Sequence, residues 1–265
     1  MNEPSIITSA NNPIIKEIKG LKTKKGRAKA QAFLLEGSRL VLDAVHSDAQ
    51  IKYLIVSDTY AEKGEYLSEK IHKIRTIQIP DRLFTNISEI ESPQGIMAIA
   101  EIPQYDEHNM LEGASRIIAL ENLQDPGNIG TIIRTSDACG FDAVIVSRDS
   151  ADIYNPKVIR STMGAVFHLP VIEVHDFYGT LRIAKEKGLS IAAAHTRKSE
   201  PCWKVNLANN IVIVIGNEAN GISDKLLGLA DSTIMIPMNS RAESLNAAAA
   251  ASILIYESMR QSCLK

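Results

Sequence analysis

Apolar positions in the first hundred residues alternate between a helical and a strand period. Asn12 and Pro13 form a helix-start pair, a capping side chain followed by the residue suited to the first helical position. Ile14, Ile15, Ile18 and Leu21 then share one helical face and leave the lysines on the other. Ala32 to Leu35 predicts a short strand, Ser38 opens a helix, and Ile51 to Val56 predicts a second strand. A helix over Tyr60 to Ile74, a strand around Ile77 and a last strand over Gly95 to Ala100 complete the stretch. Such alternation implies a small α/β sandwich.

The pattern breaks at IPQYDEHNMLEGAS, a polar, turn-rich segment that reads as a linker. Beyond it the apolar runs lengthen: Ile117–Leu120, Ala143–Val146, Leu189–Ala194, Ile211–Ile215 and Thr233–Ile236. Continuous Val/Ile/Leu runs are expected of parallel strands buried on both faces. The expected organisation is a domain over 1–102, a linker over 103–114 and a second domain over 115–265. A length of 265 residues accommodates both.

Composition adds exclusions. Hydrophobic content of 45% and charged content of 23% fit a soluble globular protein. The longest uncharged apolar run, Ala247 to Tyr256, falls well short of the roughly 18 residues a membrane span needs. The start MNEPSIITSANNP lacks a secretory pattern, so the expected location is cytoplasmic, without membrane association. Cys139, Cys202 and Cys263 are widely spaced, and no His/Cys cluster suggests a metal site. Small buried hydrophobes are their ordinary role.

Charge is uneven. Residues 1–39 carry eight Lys/Arg against Glu3, Glu17 and Glu36, a balance of +5, which leaves −7 for the rest of a chain whose net charge is −2. A cationic end on an acidic body suits a polyanion, since phosphate contacts release counterions; a solvated helix face is the alternative. The candidate contacts are Lys16, Lys19, Lys22, Lys24, Lys25, Arg27 and Arg39. Aromatic content of only 5% does not advertise base stacking.

Three segments of the second domain carry candidate chemistry, and in open parallel sheets ligands sit at the carboxyl ends of strands. In LENLQDPGNIGTIIRTSDACG, Asp125-Pro126-Gly127-Asn128 reads as a tight turn before a helix, with Asn128 and Arg134 near its first turns. A guanidinium beside helix amides is a receiver for phosphate, although such an Arg also serves in surface ion pairs. In IVIVIGNEANGIS a strand runs directly into Gly216, Asn217, Glu218 and Gly221. Gly216 and Gly221 have P-loop spacing, but Ile222 stands where the lysine should be, and no GxGxxG follows a strand. The glycines suggest backbone approaching a ligand, with Glu218 offering a carboxylate. In TIMIPMNSRAESLNAAAAASILIYE a strand ends at Pro237 and Ser244 is positioned to cap a long helix whose first turns are Ala-rich. Small side chains there suit a close crossing or subunit interface, as well as plain helix propensity.

DPGNIGTIIRTSDACGFDAVIV, NPKVIRSTMGAVFHLPV, IVIVIGNEANGIS and IPMNSRAESLNAAAAASILIYE occur in the order seen in SpoU/TrmH-type RNA ribose 2′-O-methyltransferases of the SPOUT superfamily. The resemblance runs from about Ile117 to the C-terminus, while NNPIIKEIKGLKTKKGR, FLLEGSRLV and ESPQGIMAIAE resemble the RNA-binding domain often fused to such enzymes. One departure is Ala219-Asn220, where a Gly-containing pair is more usual before Gly221.

The resemblance implies a small N-terminal α/β RNA-binding domain and a C-terminal parallel-sheet domain with a deep trefoil knot, an exception to the unknotted rule. It implies S-adenosylmethionine as cofactor and a homodimer packed through the knot. Cofactor contacts would come from Ala194, His195, Thr196, Gly216, Asn217, Glu218, Ile236, Met238 and Leu245. Asn128 and Arg134 match the family's first motif, Glu218 its second, and Ser244, Leu245 and Asn246 its third, so Arg134, Asn128, Glu218, Ser244 and Asn246 are the catalytic candidates. Arg160 matches a position near the RNA or the dimer site. A guanidinium is effectively always protonated, so Arg134 is expected to position phosphate and stabilise a developing alkoxide, not to act as base. His195 is read as a proton acceptor or a loop residue beside the cofactor. Trp203 is read as a stacking platform or loop packing. Ribosomal RNA is expected over transfer RNA by analogy with the fused domain. The alternatives are transfer RNA 2′-O-methylation, base methylation by a related knotted enzyme, and an RNA-binding module without catalysis.

Overall fold

The structure, a computed structural model, describes residues 5–63, 71–196, 199–239 and 244–263. The chain divides into two compact units, residues 1–104 with 154–167, and residues 105–153 with 168–265.

The first unit begins with β1 (Ser5–Ile6), α1 (Pro13–Leu21), α2 (Lys24–Ala30), β2 (Ala32–Glu36), α3 (Ser38–His46) and β3 (Ile51–Ser57). It continues through α4 (Asp58–Lys63), a 3-10 turn at Ile71–Lys73, β4 (Thr76–Ile79), α5 (Asp81–Ile87) and β5 (Ile96–Glu101). The strands lie in the order β1-β4-β3-β5-β2, with the β1, β4 and β3 pairings parallel and those of β5 antiparallel. Asn12 caps α1 as its sequence dictates, its Oδ1 accepting from the Ile14 amide at 2.9 Å. Side chains alternate across the pleat. Ala32, Leu34, Met97 and Ile99 face α1 and α5, while Phe33, Leu35, Ile96 and Ala98 pack with α3 on the opposite face.

Several features depart from the expected elements, β1 and α2 among them as additions. The Tyr60–Ile74 helix is instead α4, ending at Lys63, and the 3-10 turn; 64–70 between them lie outside the described residues. Helix α5 is a further addition, and it buries Leu83, Phe84 and Ile87.

The second unit opens with α6 (Glu107–Leu111), so the expected linker carries a helix, and its Leu111 is buried in this unit's core. Then come β6 (Arg116–Leu120), α7 (Pro126–Ala138) and β7 (Ala143–Ser147). Here the chain rejoins the first unit: α8 (Pro156–Thr162) and a 3-10 turn at Ala165–Phe167 bring Ile159 and Val166 into the α3 face of its core. By packing, residues 154–167 group with the first unit, where this apolar stretch finds its partners in β2 and α3. The second unit resumes with β8 (Val171–Val174), α9 (Phe177–Glu186), β9 (Ser190–Ala194), β10 (Glu200–Pro201), a 3-10 turn at Cys202–Lys204, β11 (Ile211–Ile215), α10 (Asp224–Leu227), β12 (Ser232–Met235) and α11 (Ala247–Cys263).

Its sheet has the order β10-β12-β9-β11-β6-β7-β8, and every pairing is parallel. Helices α6, α9 and α10 contribute to the core on one face, whereas α7 packs against α11. From β6 the chain works outward through β7 and β8, then crosses to β9 and returns to insert β11 beside β6. The carboxyl ends of β6, β11, β9 and β12 thus flank a reversal of strand order, where open α/β sheets bind ligands. No helix among the described residues is long and apolar enough to cross a membrane.

Candidate active site

Beyond β11 the chain closes on itself. The Asn217 amide donates to the Gly221 carbonyl at 3.0 Å and the Gly221 amide to the Asn217 carbonyl at 2.8 Å. The Asn217 side chain donates to the Asn122 carbonyl at 2.7 Å, and its Oδ1 accepts from the Ala219 and Asn220 amides, both at 3.0 Å. That turn accommodates the Ala219-Asn220 pair without a further glycine. Gly216 is required by the loop itself, since a Cβ there would stand 2.3 Å from the Gly221 carbonyl carbon, and Gly221 has φ +69°. Both glycines therefore serve loop closure, and both also line the cleft beside the loop.

Glu218 projects from this loop to the start of α7. Its carboxylate accepts from the Gln124 amide at 3.0 Å, the Asp125 amide at 2.9 Å and Asn128 Nδ2 at 3.0 Å. Burial pushes its pKa up, but these donors outweigh burial and hold the carboxyl below its ordinary value. Asn128 in turn accepts on Oδ1 from Asn246 Nδ2 at 3.0 Å. The Asn246 Oδ1 accepts from the Ala248 and Ala249 amides at 2.9 and 3.2 Å, capping α11. Three segments distant in sequence are thereby joined in one hydrogen-bonded line, Glu218 to Asn128 to Asn246 to the α11 amides.

Two local expectations are corrected. Asp125 is the N-cap of α7, accepting from the Asn128 amide at 2.9 Å, and Pro126 takes the first helical position, so the expected turn is already helix. Ser244 does not cap α11; the helix starts at Ala247, which puts Asn246 in the capping place. Ser244 is exposed and lines the cleft, and Ser240 to Glu243 lie outside the described residues.

The cleft beside this line has a volume of about 580 Å³ and continues into a side pocket of about 110 Å³. Ala194, His195, Thr196, Gly216, Asn217, Glu218 and Leu245 line the first, and Ile236 and Met238 the second. Ala247 and Ala250 give it depth, because larger side chains would fill it. His195 is half-buried on the wall, its backbone amide bonded to the Ile234 carbonyl at 2.9 Å.

Arg134 is not brought to the line. It is exposed at the ninth position of α7, beyond the free amides, about 120° around the helix and about 9 Å along it from Asn128. Trp203, in the 3-10 turn at Cys202–Lys204, is 56% exposed. Burial pushes the Cys139 and Cys202 thiols up, which disfavours the thiolate a nucleophile needs.

The sequence reading missed Glu121, buried at the exit of β6. Its carboxylate accepts from the Tyr178 hydroxyl at 2.8 Å, the Ser223 amide at 3.0 Å and Ser223 Oγ at 2.5 Å, tying the far end of the 216–223 loop to β6. An acid directly after an apolar strand run was the available signal.

Among the cationic candidates, Lys16, Lys19, Lys24, Lys25 and Arg39 are exposed. Lys22 is half-buried with its ammonium 3.4 Å from the Ser88 carbonyl, and Arg160 is half-buried. Arg27 is withdrawn from the set: it is 3% exposed and donates to the Leu21 carbonyl at 2.7 Å, because α2 turns this position inward to satisfy the end of α1.

The chain is similar to known proteins over both of its parts. A family described as the SpoU rRNA Methylase family matches residues 115–256, and an MRM3-like substrate binding domain matches residues 12–98. The chain is 34% identical to the 23S rRNA (guanosine(2553)-2′-O)-methyltransferase RlmP of Bacillus subtilis over 94% of this chain and 97% of that one. It is 33% identical to the 23S rRNA (uridine(2479)-2′-O)-methyltransferase of Streptomyces viridochromogenes, over 91% of this chain and 87% of that one. An AdoMet-bound rRNA methyltransferase from Sinorhizobium meliloti superposes with a TM-score of 0.87 at 29% identity, covering 97% of each chain.

Proposed function

The chain belongs to the SpoU rRNA methylase family, and we propose that it transfers a methyl group from S-adenosylmethionine to a ribose 2′-hydroxyl of ribosomal RNA. The observation that carries the reading is the line from Glu218 through Asn128 to Asn246, at the carboxyl ends of the strands and beside a cleft of about 580 Å³. That cleft suits the cofactor, with apolar walls at Ile236 and Leu245 for a base and backbone polar groups at 216–221 for its polar parts. When bound, the cofactor supplies a methyl group already activated on a sulfonium.

The chain's own residues then have two tasks, alignment and charge stabilisation. Glu218 fixes the start of α7 through the Gln124 and Asp125 amides, and Asn128 passes that position to Asn246. Ser244 and Leu245 hang from the same capped end of α11 onto the cleft. Arg134 brings a guanidinium cation, which stabilises the negative charge that develops on the ribose oxygen. Replacing Arg134 by Ala removes most single-turnover methyl transfer and leaves cofactor affinity in place; a rate near wild type removes Arg134 from this role.

The reading includes a homodimer, supported by the exposed apolar side chains of Ile253 and Tyr256 on α11, at 43% and 57%. The dimer decides which cleft each Arg134 serves, so mixing an Arg134→Ala chain with a Glu218→Ala chain distinguishes action on its own cleft from action on the partner's. It also includes the trefoil knot, supported by the strand order that carries the chain from β11 back across β9 to β12. A cytoplasmic location goes with the substrate.

The test is transfer from labelled S-adenosylmethionine to ribosomal and transfer RNA from cells lacking this protein, with nucleosides resolved afterwards. A labelled 2′-O-methylnucleoside in ribosomal RNA is expected. Label in transfer RNA changes the substrate, label on a base changes the reaction, and absence of cofactor binding overturns the enzyme.

A further inference from the structure

We propose that the first unit carries a pocket for one extruded nucleotide of the RNA, with Arg39 and Arg160 on its phosphate and Met163 against its base. The inference rests on the RNA-substrate reading above and deepens it. The cavity, about 370 Å³, is formed by the start of α3, residues 90–94 and the end of α8, all within the first unit. That size falls in the range of small-ligand sites, about 300–1,000 Å³.

Its chemistry is two guanidinium groups over an apolar floor of Leu40, Ile90 and Met163. Among the described residues Arg39 makes no hydrogen bond or ion pair, and Arg160 has only a loose pair with Glu89 at 3.8 Å. The acid at the back, Glu36, is already engaged, accepting from Ser88 Oγ and from the Glu89 amide at 3.3 Å. The cationic capacity of the pocket is therefore unspent, and guanidinium is the side chain best matched to phosphate.

Met163 supplies an independent observation. It adopts φ +50°, a left-handed conformation that favours Gly or Asn, yet keeps a large apolar side chain 42% exposed at the cavity. Strain of this kind, without burial to compensate it, points to a contact made with something else. The geometry is also fixed in advance. Gly164 follows at φ +96°, and a Cβ there would stand 1.6 Å from Asp43 Oδ2 on α3. The end of α8 is thus seated directly on α3, which holds Arg160 and Met163 in place beside Arg39. An apolar, polarisable thioether beside two phosphate receivers fits a nucleotide, not a bare anion.

The test is filter binding of an end-labelled 23S ribosomal RNA transcript to the full chain across a salt series, with labelled-methyl transfer measured on the same RNA. The expected result for Arg39→Ala with Arg160→Ala is at least a roughly tenfold loss of affinity and a salt slope reduced by about 0.7 to 0.9 for each phosphate no longer neutralised. Met163→Ala is expected to weaken binding about fivefold or more with the slope unchanged, while Met163→Leu restores it. Cofactor affinity and melting temperature report that each variant is folded. Wild-type affinity and slope in all variants, with methyl transfer by the wild type, overturns the pocket and leaves the enzyme reading standing; a protein ligand in the cavity would give this result. A lowered slope in the arginine pair with Met163→Ala unaffected overturns the base contact and hence the nucleotide. A wild-type chain that neither binds nor methylates the RNA overturns both readings.

Discussion

On the α7 side of the cleft, Asn217, Glu218 and Asn128 each hold at least two hydrogen-bond partners within the chain. On the α11 side, Ile236, Met238 and Leu245 present carbon, and Leu245 is left 38% exposed. The first side is organised by folding, because its polar groups are satisfied by one another and by backbone amides whether or not a ligand is bound. The second gains only when something covers it, since apolar area contributes in proportion to what is removed from water. On the proposed reading, alignment therefore resides in the polar side and cofactor affinity largely in the apolar one.

The sharpest way to break that division is Glu218→Ala. It strands the Gln124 and Asp125 amides and Asn128 Nδ2, and releases α7 from the 216–223 loop. Small misplacements of reacting groups cost on the order of 100-fold in rate, so methyl transfer should fall by about that factor, while equilibrium dialysis finds cofactor affinity much less changed. Equal losses in both would show that the polar side binds as much as it aligns. Next in size is Gly216→Ala, whose Cβ would meet Gly221 backbone at 2.3 and 2.4 Å. Overpacking of this kind costs about 1–3 kcal/mol, read as a lowered melting temperature together with lost transfer.

Much of this cleft can be placed from sequence, but its wiring cannot. The Asn12 cap and the apolar runs of β6, β7 and β11 are local signals, and the chain adopts them nearly as read. Asn128, Glu218 and Asn246 lie far apart in sequence, and only a parallel sheet with reversed strand order brings them together; resemblance supplies that grouping where spacing has none. Ser244 and Asn246 are both good caps, and the choice between them depends on where the helix starts, which an Ala-rich run does not mark. Arg27 reads as one more exposed cation because the seven residues of α2 are too few to show which face turns inward. The passage of 154–167 into the first unit leaves no trace in composition, since an apolar helix face does not declare its partner.

Leu245→Ala probes the apolar side alone. The side chain lines both parts of the cleft and is partly exposed, so its removal leaves the fold unstrained. The substitution removes three carbons, and a single methylene well packed against a ligand is worth about 1–3 kcal/mol. For a side chain this exposed, cofactor affinity should therefore fall at least roughly tenfold with the melting temperature unchanged. A drop in single-turnover rate at saturating cofactor would mean that Leu245 aligns as well as binds.

The smallest effect separates charge from shape on the polar side. Glu218 is held below its ordinary value, burial being outweighed by the Gln124, Asp125 and Asn128 donors. A carboxyl depressed in the folded state stabilises it at pH values above the unfolded pKa, about 4.3 for Glu, and that contribution is lost as pH falls through the folded value. Glu218→Gln keeps the shape and one acceptor oxygen but has no proton to gain. The stability difference between wild type and Glu218→Gln, measured by denaturant unfolding, should therefore be constant above about pH 5.5 and narrow below the ordinary carboxylate value of about 4.3. Glu218 is exposed enough for water to screen it, so the narrowing is small beside the catalytic loss in Glu218→Ala. A difference that persists unchanged into acid would mean that geometry, not charge, joins α7 to the loop.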